Sequence, residues 1–367
     1  MANKSGVYYK EVIEDIMDKI NSKELKVGDK LPSERELCDL YSVSRTTIRK
    51  AIDVLVTEGY LNKEAGKGTF VKNNKGSLSN NEQLTGNVLF VRCVHSDNKD
   101  NFSNGNDIFY PALLMGIEQS AADNGYHCIY KTIDEKSIDQ EEIDQLLAKV
   151  EGIIWGGELH NKEFLNHLLD INIPLLLVSP SITVDNVDTV NIEDKKGATK
   201  AVEYLIEKGH QNIAFIAGDA NSFPSQQRKE GYLNAMQKAG LESNQLVITA
   251  EGWDFDAGYQ AMKKVVKSNK EITAIFAASD LLAMGAISQA KEENIKIPED
   301  LSIIGFDDVD LARQLKPKLT TLKVMKEEMG RVAGKLLFES ILEGRNYSLN
   351  VTLPVELIER ESVKEIL

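Results

Sequence analysis

The spacing of apolar residues predicts three helices at the start of the chain. Between residues 8 and 21, apolar side chains recur three and four positions apart, as on one face of an amphipathic helix. A shorter helix begins near Ser33, which together with Glu36 has the spacing of a capping box. A third helix follows Ser44, a suitable N-cap, and runs toward Gly59. Its first two turns carry polar and basic side chains outside the apolar face.

A predicted β-hairpin follows these helices. Two short runs, residues 60–64 and 68–72, flank a glycine-rich turn. Three helices and a two-stranded wing give the outline of a winged helix-turn-helix, an α+β domain over residues 1–72. The stretch from 73 to 85 is polar and rich in Asn, Ser and Gly, which is typical of a linker.

From residue 86 to the end, short apolar runs alternate with helical stretches. Runs such as NVLFVR, PLLLVS and AIFAAS are typical of parallel strands buried on both faces. The alternation predicts doubly wound α/β sheets, and about 270 residues favour two similar lobes with a cleft between them. We expect lobe 1 to contain about 86–185 plus 309–343, and lobe 2 to contain about 186–308 plus 346–362.

The composition narrows the class of protein. Of 367 residues, 42% are hydrophobic and 27% are charged, and no apolar run is long enough to span a membrane. The polar start of the chain contains no signal-peptide core, so we expect a cytoplasmic protein. The net charge is −14, yet residues 40–75 contain seven basic and three acidic side chains. A local basic face suited to nucleic acid is therefore compatible with an acidic chain.

The sequence contains no familiar signature of an enzyme, a cofactor site or a metal site. It lacks the nucleotide-binding glycine motifs and the GxSxG and HExxH motifs, and its five His and three Cys are scattered. Asp307 and Asp308 are adjacent, so on a strand they would face opposite ways rather than act as an acid–base pair. We therefore expect a binding protein rather than an enzyme, with no cofactor and no metal.

Polar and aromatic side chains follow several predicted strands. Ser179, Trp253, Ser279, Asp280 and Asp307 each stand at or just beyond the end of an apolar run. Aromatic faces and carboxylates suit polyhydroxylated rings, because the ring stacks while its hydroxyls form hydrogen bonds. Together these residues predict a sugar-type pocket, although Asp280 has a second interpretation as the cap of the helix that follows it.

The segment LPSERELCDLYSVSRTTIRKAIDVLVTEGYLNKEAGKGTFV resembles the winged-helix domain of the GntR family across nearly its whole length. The resemblance implies that the third helix reads the major groove of operator DNA and that the wing lies along a minor groove. The implied DNA-binding residues are Arg35, Arg45, Thr46, Thr47, Arg49, Lys67 and Gly68.

The region from about 86 to 360 resembles the effector domain of the LacI/GalR family, itself similar to periplasmic sugar-binding proteins. The motifs QQRKEGY, AIFAASDLLAMGAISQAKEENIKIPEDLSIIGFDD and KPKLTTLKV carry this resemblance. It implies that Arg228 and Asp307 clamp the ligand and that Trp253 stacks on it. Gly156 and Ser179 stand where some family members have Asp or Asn. The implied effector-binding residues are Phe109, Ser179, Arg228, Trp253, Ser279 and Asp307.

A GntR-type reader joined to a LacI-type sensor is similar to the arabinose repressor group of Gram-positive bacteria. The resemblance implies a homodimeric repressor that releases its operator DNA when a monosaccharide, L-arabinose or another pentose, binds the cleft. A hexose, a disaccharide or a non-sugar ligand would fit the same architecture. A sugar-binding transport receptor would share the second region but would have no use for residues 1–72.

Overall fold

The structure is a computed structural model with two compact units, residues 1–83 and 84–367. The predicted linker, 73–85, lies outside the described residues except for residue 85. The structure describes residues 12–13, 15–17, 19–20, 24–26, 28–41, 43–57, 60–64, 67–71, 85–94, 109–157, 159–171, 173–180, 184–268, 270–345 and 347–366.

The N-terminal unit, here called the head, contains the predicted helices. Its described residues between 12 and 20 are helical, and α1 (Glu34–Tyr41) and α2 (Arg45–Thr57) follow. The capping box forms as predicted, because the Ser33 main-chain N–H donates to the Glu36 carboxylate at 2.7 Å and the Glu36 N–H donates to Ser33 Oγ at 3.3 Å. The core of the head contains Val12, Ile16, Leu31, Leu37, Ile48, Ala51, Ile52, Leu55, Leu61 and Val71.

The predicted hairpin is present as β1 (Leu61–Glu64) and β2 (Gly68–Val71). The strands are antiparallel, with Leu61 opposite Val71 and Glu64 opposite Gly68. The segment before α1 runs along the other edge of β2, since the Leu31 N–H donates to the Thr69 carbonyl at 2.9 Å. The wing is therefore anchored to the helices through its second strand.

The first lobe of the second unit is built on a six-stranded, all-parallel sheet in the order β13-β7-β6-β5-β3-β4. Its strands are β3 (Asn87–Val94), β4 (His127–Asp134), β5 (Ile153–Gly156), β6 (Leu175–Val178), β7 (Asp188–Ile192) and β13 (Asn350–Leu353). Its helices are α3 (Phe109–Asp123), α4 (Gln140–Leu147), α5 (Lys162–Asp170) and α10 (Lys326–Glu343).

The second lobe has a six-stranded sheet in the order β14-β12-β11-β10-β8-β9, parallel except for β14. Its strands are β8 (Ile213–Ala217), β9 (Leu246–Thr249), β10 (Ala274–Ala277), β11 (Ser302–Asp307), β12 (Thr320–Lys323) and β14 (Glu356–Ile358). Its helices are α6 (Asp194–Glu207), α7 (Phe223–Lys238), α8 (Phe255–Lys267) and α9 (Asp280–Glu292).

The chain passes between the lobes after β7, after β12 and after β13. The expected boundaries differ, because they put β7 and β13 in lobe 2 and β12 in lobe 1. Pairing decides the matter: β7 hydrogen-bonds to β6, β13 to β7, and β12 to β11. An apolar run has the same pattern in either sheet, so the sequence alone does not tell which sheet a strand joins.

Helices α3 and α10 pack with their backbones in close contact. A Cβ atom added at Gly116 in α3 would overlap the carbonyl oxygen of Glu327 in α10. A Cβ atom added at Gly330 would likewise overlap the carbonyl oxygen of Leu113. Because both contacts depend on glycine, the two helices form one tightly packed pair in the first lobe.

Candidate functional site

The polar residues at the start of α2 lie on the surface of the head. Ser44 caps the helix, because its Oγ accepts a hydrogen bond from the Thr47 main-chain N–H at 3.2 Å. Arg45, Thr46 and Arg49 are exposed, and Thr47 is half-buried. The residues predicted to read DNA bases therefore lie on the solvent side of a helix whose other side is core.

Both arginines share one carboxylate of α1. Arg45 Nε donates to Glu34 Oε2 at 2.8 Å, and Arg49 Nε donates to both Glu34 oxygens at 3.0 Å. The hydrogen bonds from Arg45 and then Arg49 hold the pKa of Glu34 below its usual value. In these bonds Glu34 accepts from Nε of each arginine, at the surface of the head.

The remaining predicted DNA contacts lie elsewhere in the head. Arg35 is exposed in α1, and Lys67 is exposed in the turn between the wing strands. Gly68 begins β2 with φ +131°. A Cβ atom added at Gly68 would stand 2.5 Å from Cε of Lys30, so a larger residue would displace that side chain.

Arg228 is the centre of a buried polar cluster in the second lobe. It lies on α7 and is only 4% exposed. Its Nε donates to Asp194 Oδ1 at 2.7 Å, and its Nη1 donates to the Ala278 carbonyl at 2.5 Å. Nη1 also lies 3.7 Å from Asp307 Oδ1. The structure thus brings Arg228 and Asp307 together at the carboxyl edge of the second sheet.

Two aromatic rings flank the Arg228 guanidinium. Its Cζ lies 3.7 Å from the ring centroid of Phe306 and 5.6 Å from that of Trp253. The half-buried indole lies against Gly218, where an added Cβ would be 2.6 Å from two ring atoms. An aromatic face beside a forked cation and a carboxylate suits a ring that carries hydroxyl groups.

Sequence reasoning missed two members of this cluster, Asp194 and Phe306. Asp194 is nearly buried at the start of α6; burial raises its pKa, and the charge of Arg228 opposes that shift. It follows the strand that ends at Ile192, so the rule that selected residues after other strands would also have selected it. Phe306 stands inside an apolar run, where a core role is the ordinary interpretation.

Asp307 and Asp308 have different partners. Asp307 lies beside Arg228, whereas the Asp308 carboxylate accepts hydrogen bonds from Arg313 at 2.9 Å and Arg360 at 2.5 Å. Burial raises the pKa of Asp308, but Arg360 and Arg313 outweigh burial and hold the pKa below its usual value. The two aspartates have φ of +116° and +51°, a region that residues other than glycine avoid. The turn after β11 is therefore strained, and the contacts of the two carboxylates with arginine side chains hold it in place.

Ser279, not Asp280, caps α9, so the cap interpretation of Asp280 is wrong. Ser279 Oγ accepts from the main-chain N–H three residues on, at 3.2 Å. Asp280 is fully buried, and its carboxylate accepts from the Val309 N–H at 2.8 Å and from the Thr321 hydroxyl at 2.5 Å. Burial and the nearby charge of Asp307 raise the pKa of Asp280 to about 8. Asp280 thus ties α9 to the turn after β11 and to β12.

Phe109 and Ser179 belong to the first lobe. Phe109 begins α3 and packs edge to face against Tyr110, with ring centroids 5.5 Å apart. Ser179 follows β6 directly and has φ +51°. A Cβ atom at Gly156 would stand 3.0 Å from the rings of Phe90 and Tyr110, so Asp or Asn there would require these rings to shift. These residues lie at the carboxyl edge of the first sheet, whereas the other predicted effector residues lie in the second lobe.

Among the residues with described structure, no group of three or more His, Cys, Asp or Glu side chains is arranged to hold a metal ion. Within the same ranges, no helix combines the length and the apolar character that crossing a membrane requires.

Two sequence families match this chain. The gntR family of bacterial regulatory proteins matches residues 8–71, and a periplasmic-binding-protein-like domain matches residues 202–363. The HTH-type transcriptional repressor CytR of Escherichia coli K12 is 32% identical over 267 residues, which cover 71% of this chain and 77% of CytR. The chain belongs to the LacI/GntR family of transcriptional repressors. The family consists of regulators, which confirms the prediction that this chain is not an enzyme.

Further similarities cover most of the regulator. The probable HTH-type transcriptional repressor ExuR of Bacillus subtilis 168 is 26% identical over 343 residues, which cover 90% of the regulator and 98% of ExuR. The structure of a LacI family regulator from Enterococcus faecalis V583 with bound ribose matches with a TM-score of 0.61 and 26% identity, covering 76% of this chain and all of that one. The matches confirm the predicted fold, a helix-turn-helix domain joined to a two-lobed periplasmic-binding-protein-like domain.

Proposed function

We propose that this regulator is a homodimeric repressor of carbohydrate-utilisation genes that releases its operator when a monosaccharide binds between the lobes. The proposed monosaccharide is a pentose such as L-arabinose. The observation that carries the proposal is the cluster of Arg228, Asp307 and Trp253 in a chain whose head is of the GntR type. A charged clamp beside an aromatic face binds hydroxylated rings, and a GntR-type head binds DNA.

Operator binding is assigned to the exposed side chains of the head. Arg45 and Arg49 would form bidentate hydrogen bonds with guanine or contact phosphates, and Thr46 and Thr47 would contact the adjacent backbone. Arg35 and Lys67 would contact phosphates, and Gly68 would allow the wing to approach the DNA closely. The exposure of the arginine and lysine side chains supports these roles.

Effector binding is assigned to both lobes. Arg228 and Asp307 would hold the sugar hydroxyls, and Trp253 would stack on the ring. From the first lobe, Phe109 and Ser179 would complete the site when the lobes close. Ser279 would add a polar contact from the second lobe. The ribose in the Enterococcus faecalis relative supports a ligand of pentose size.

Sugar binding would release DNA by favouring one state of the regulator. A ligand shifts an equilibrium only by its difference in affinity for the two states, and a hundredfold preference supplies about 2.7 kcal/mol. Lobe closure would change the spacing of the two heads of a dimer, and a pseudo-palindromic operator requires one spacing. This free energy is enough to release the regulator from its operator when the free energy that favours the bound state is of similar size.

The proposed dimer contact includes exposed apolar residues of the effector domain. Met325 is 36% exposed and, together with Ala112 and mostly charged side chains, lines an open surface groove of about 500 Å³. Met115, one helical turn beyond Ala112, is 60% exposed, and Leu311 is 43% exposed. A second copy would cover these side chains. We expect Met115→Asp to shift sedimentation from dimer to monomer, and an unchanged dimer would contradict this assignment.

A hexose, a disaccharide or a non-sugar ligand is the main alternative for the effector, because the same clamp accepts other hydroxylated rings. The proposed place of action is the cytoplasm, where operator DNA is found. A receptor without a DNA role is disfavoured by the GntR-family match at residues 8–71.

Intrinsic fluorescence tests the effector proposal. The chain contains two tryptophans, and Trp155 is buried in the first-lobe core, so Trp155→Phe leaves Trp253 as the reporter. We expect L-arabinose or another pentose in a panel of pentoses and hexoses to change this signal saturably. Arg228→Lys, which keeps the charge but loses the forked geometry, should weaken the response. A response confined to hexoses, or no response to any sugar, would contradict the pentose assignment.

A further inference from the structure

Lys326 stands where the chain enters the first lobe. It is the first residue of α10 and follows the passage from β12 in the second lobe. Its side chain is buried, with 9% exposure. A cation at a helix N-terminus opposes the helix dipole, and burial of an ammonium group is costly unless it is paired. The position of Lys326 therefore requires a compensating interaction outside its own helix.

The compensating group is the turn that carries the effector clamp. Lys326 Nζ donates a hydrogen bond to the main-chain carbonyl of Asp307, which also accepts from the Val324 N–H at 3.4 Å. The ammonium charge also acts on buried Asp280, where it opposes the rise in pKa caused by burial and by Asp307. Lys326 thus joins the strained turn of the second lobe to a helix of the first lobe by a charge-assisted bond.

Helix α10 packs directly against α3. At Gly116 and Gly330 the two backbones approach so closely that an added Cβ atom would overlap a carbonyl oxygen of the other helix, so we expect the two helices to move together. Phe109, the proposed effector contact of the first lobe, is the first residue of α3. We therefore expect a displacement at the start of α10 to reach Phe109 and Met115, which both lie on α3.

We propose that Lys326 is a positioning residue that couples the effector-binding turn at Asp307 to the α10–α3 pair. The proposal rests on the proposed function, since it says how occupation of the second-lobe clamp reaches the first lobe. A sugar that engages Asp307 fixes the turn, the turn carbonyl holds the Lys326 ammonium, and α10 follows with α3. Loss of the ammonium would leave the clamp able to bind while the signal is lost.

The test separates sugar affinity from operator release in the full-length regulator. The variants are Lys326→Met, Lys326→Arg and the matched control Lys335→Met, which lies on the same helix with a side chain 75% exposed. L-arabinose affinity is measured by tryptophan fluorescence. A DNA duplex that binds the wild type is first selected from a random library. The affinity of each variant for this duplex is then measured with and without saturating L-arabinose. The ratio of the two duplex dissociation constants is the coupling factor.

We expect Lys326→Met to bind L-arabinose within about threefold of wild type while its coupling factor falls by about tenfold or more. Lys326→Arg should recover most of the factor because it restores the charged donor, and Lys335→Met should match wild type. A purely structural role would lower thermal stability and sugar affinity together without this split. Wild-type coupling in Lys326→Met, or no recovery in Lys326→Arg, would overturn the proposal.

A second arm does not depend on the sugar, so failure of the pentose assignment is distinguishable from failure of this inference. Hydrogen exchange is measured for Asp307→Ala in the wild-type and Lys326→Met backgrounds. We expect Asp307→Ala to increase exchange in the first turns of α10 and α3 in the wild-type background, and to have little further effect without Lys326. Equal increases in both backgrounds would overturn the inference even if no sugar binds.

Discussion

Arginine has two different roles in the two units of this regulator. In the head, Arg45 and Arg49 share Glu34 at the surface and are 69% and 56% exposed. In the effector domain, Arg228 is 4% exposed and lies between Asp194 and Asp307. A surface ion pair is worth about 0–1 kcal/mol, whereas removal of one partner from a buried pair costs about 3–5 kcal/mol.

This difference in cost distinguishes the head surface, where arginines can change partners, from the buried cluster, where Arg228 keeps its carboxylate partners. In the proposed function, the head arginines leave Glu34 for DNA at little cost. Arg228 stays between its carboxylates, so a sugar that binds as proposed joins a cluster that already exists. Substitutions in the head should therefore change DNA affinity with little effect on stability, whereas substitutions in the clamp should change both sugar binding and stability.

The largest expected effect is that of Arg228→Met, which leaves Asp194 buried without its cation. We expect the free energy of unfolding to fall by about 3–5 kcal/mol and the sugar response to disappear. Urea denaturation and fluorescence titration measure the two effects. As a control, addition of Asp194→Asn should restore part of the stability but none of the sugar response. If Arg228→Met were as stable as the wild type, the proposed difference between the two arginine sites would be contradicted.

The next effect concerns pH and the buried acid behind the clamp. The pKa of Asp280 is raised from 3.8 to about 8, so the folded state binds its proton more tightly than the unfolded state. Stability contributed by this group therefore falls as pH rises from about 4 to about 8, by at most about 1.4 kcal/mol per pH unit. Denaturation of wild type and Asp280→Asn across this range should show a flatter pH dependence in the variant. Asp310→Asn, in the exposed turn that follows, serves as the control; equal slopes in wild type and Asp280→Asn would refute the assignment.

A smaller effect is expected from Arg45→Ala in the head. Loss of one bidentate base contact should weaken operator binding by about 1–3 kcal/mol. The free energy of unfolding should change by no more than about 0.5 kcal/mol, because the side chain is exposed. Fluorescence anisotropy with labelled operator measures the affinity. Lys238→Ala, which removes a 77% exposed cation of the effector domain, should leave affinity unchanged. A large loss of stability in Arg45→Ala would contradict the view that this arginine exchanges partners freely.

The smallest effect sharpens the distinction within the head itself. Ser44→Ala removes the cap of α2 and should cost about 1 kcal/mol of stability. Ser44→Asp keeps a capping oxygen and should preserve stability, yet its charge should repel DNA phosphate and weaken operator binding. Thermal unfolding and anisotropy distinguish the two variants. Equal operator affinity in Ser44→Asp and wild type would place the start of α2 away from the DNA backbone.

Local signals predicted much of the head and of the sheet-forming segments. The capping box of Ser33 and Glu36, the cap at Ser44 and the hairpin at residues 60–72 each depend on residues close in sequence, and each was predicted from them. The sheet to which β7, β12 and β13 belong depends on long-range pairing, which a local apolar pattern does not encode. The partnership of Arg228 with Asp194 joins residues 34 positions apart, and no local pattern encodes it; the pairing of Arg228 with Asp307 was implied by the family resemblance.

Titration of the operator complex with L-arabinose tests the central claim most directly. Labelled operator is held by the full-length regulator, and its anisotropy is followed as the sugar is added to wild type and to Arg228→Lys. The account predicts saturable release from wild type, with operator affinity lowered by about tenfold or more, and a much weaker response in the variant. Operator that stays bound to wild type at concentrations that saturate the Trp253 signal would contradict the claim that the clamp controls the head.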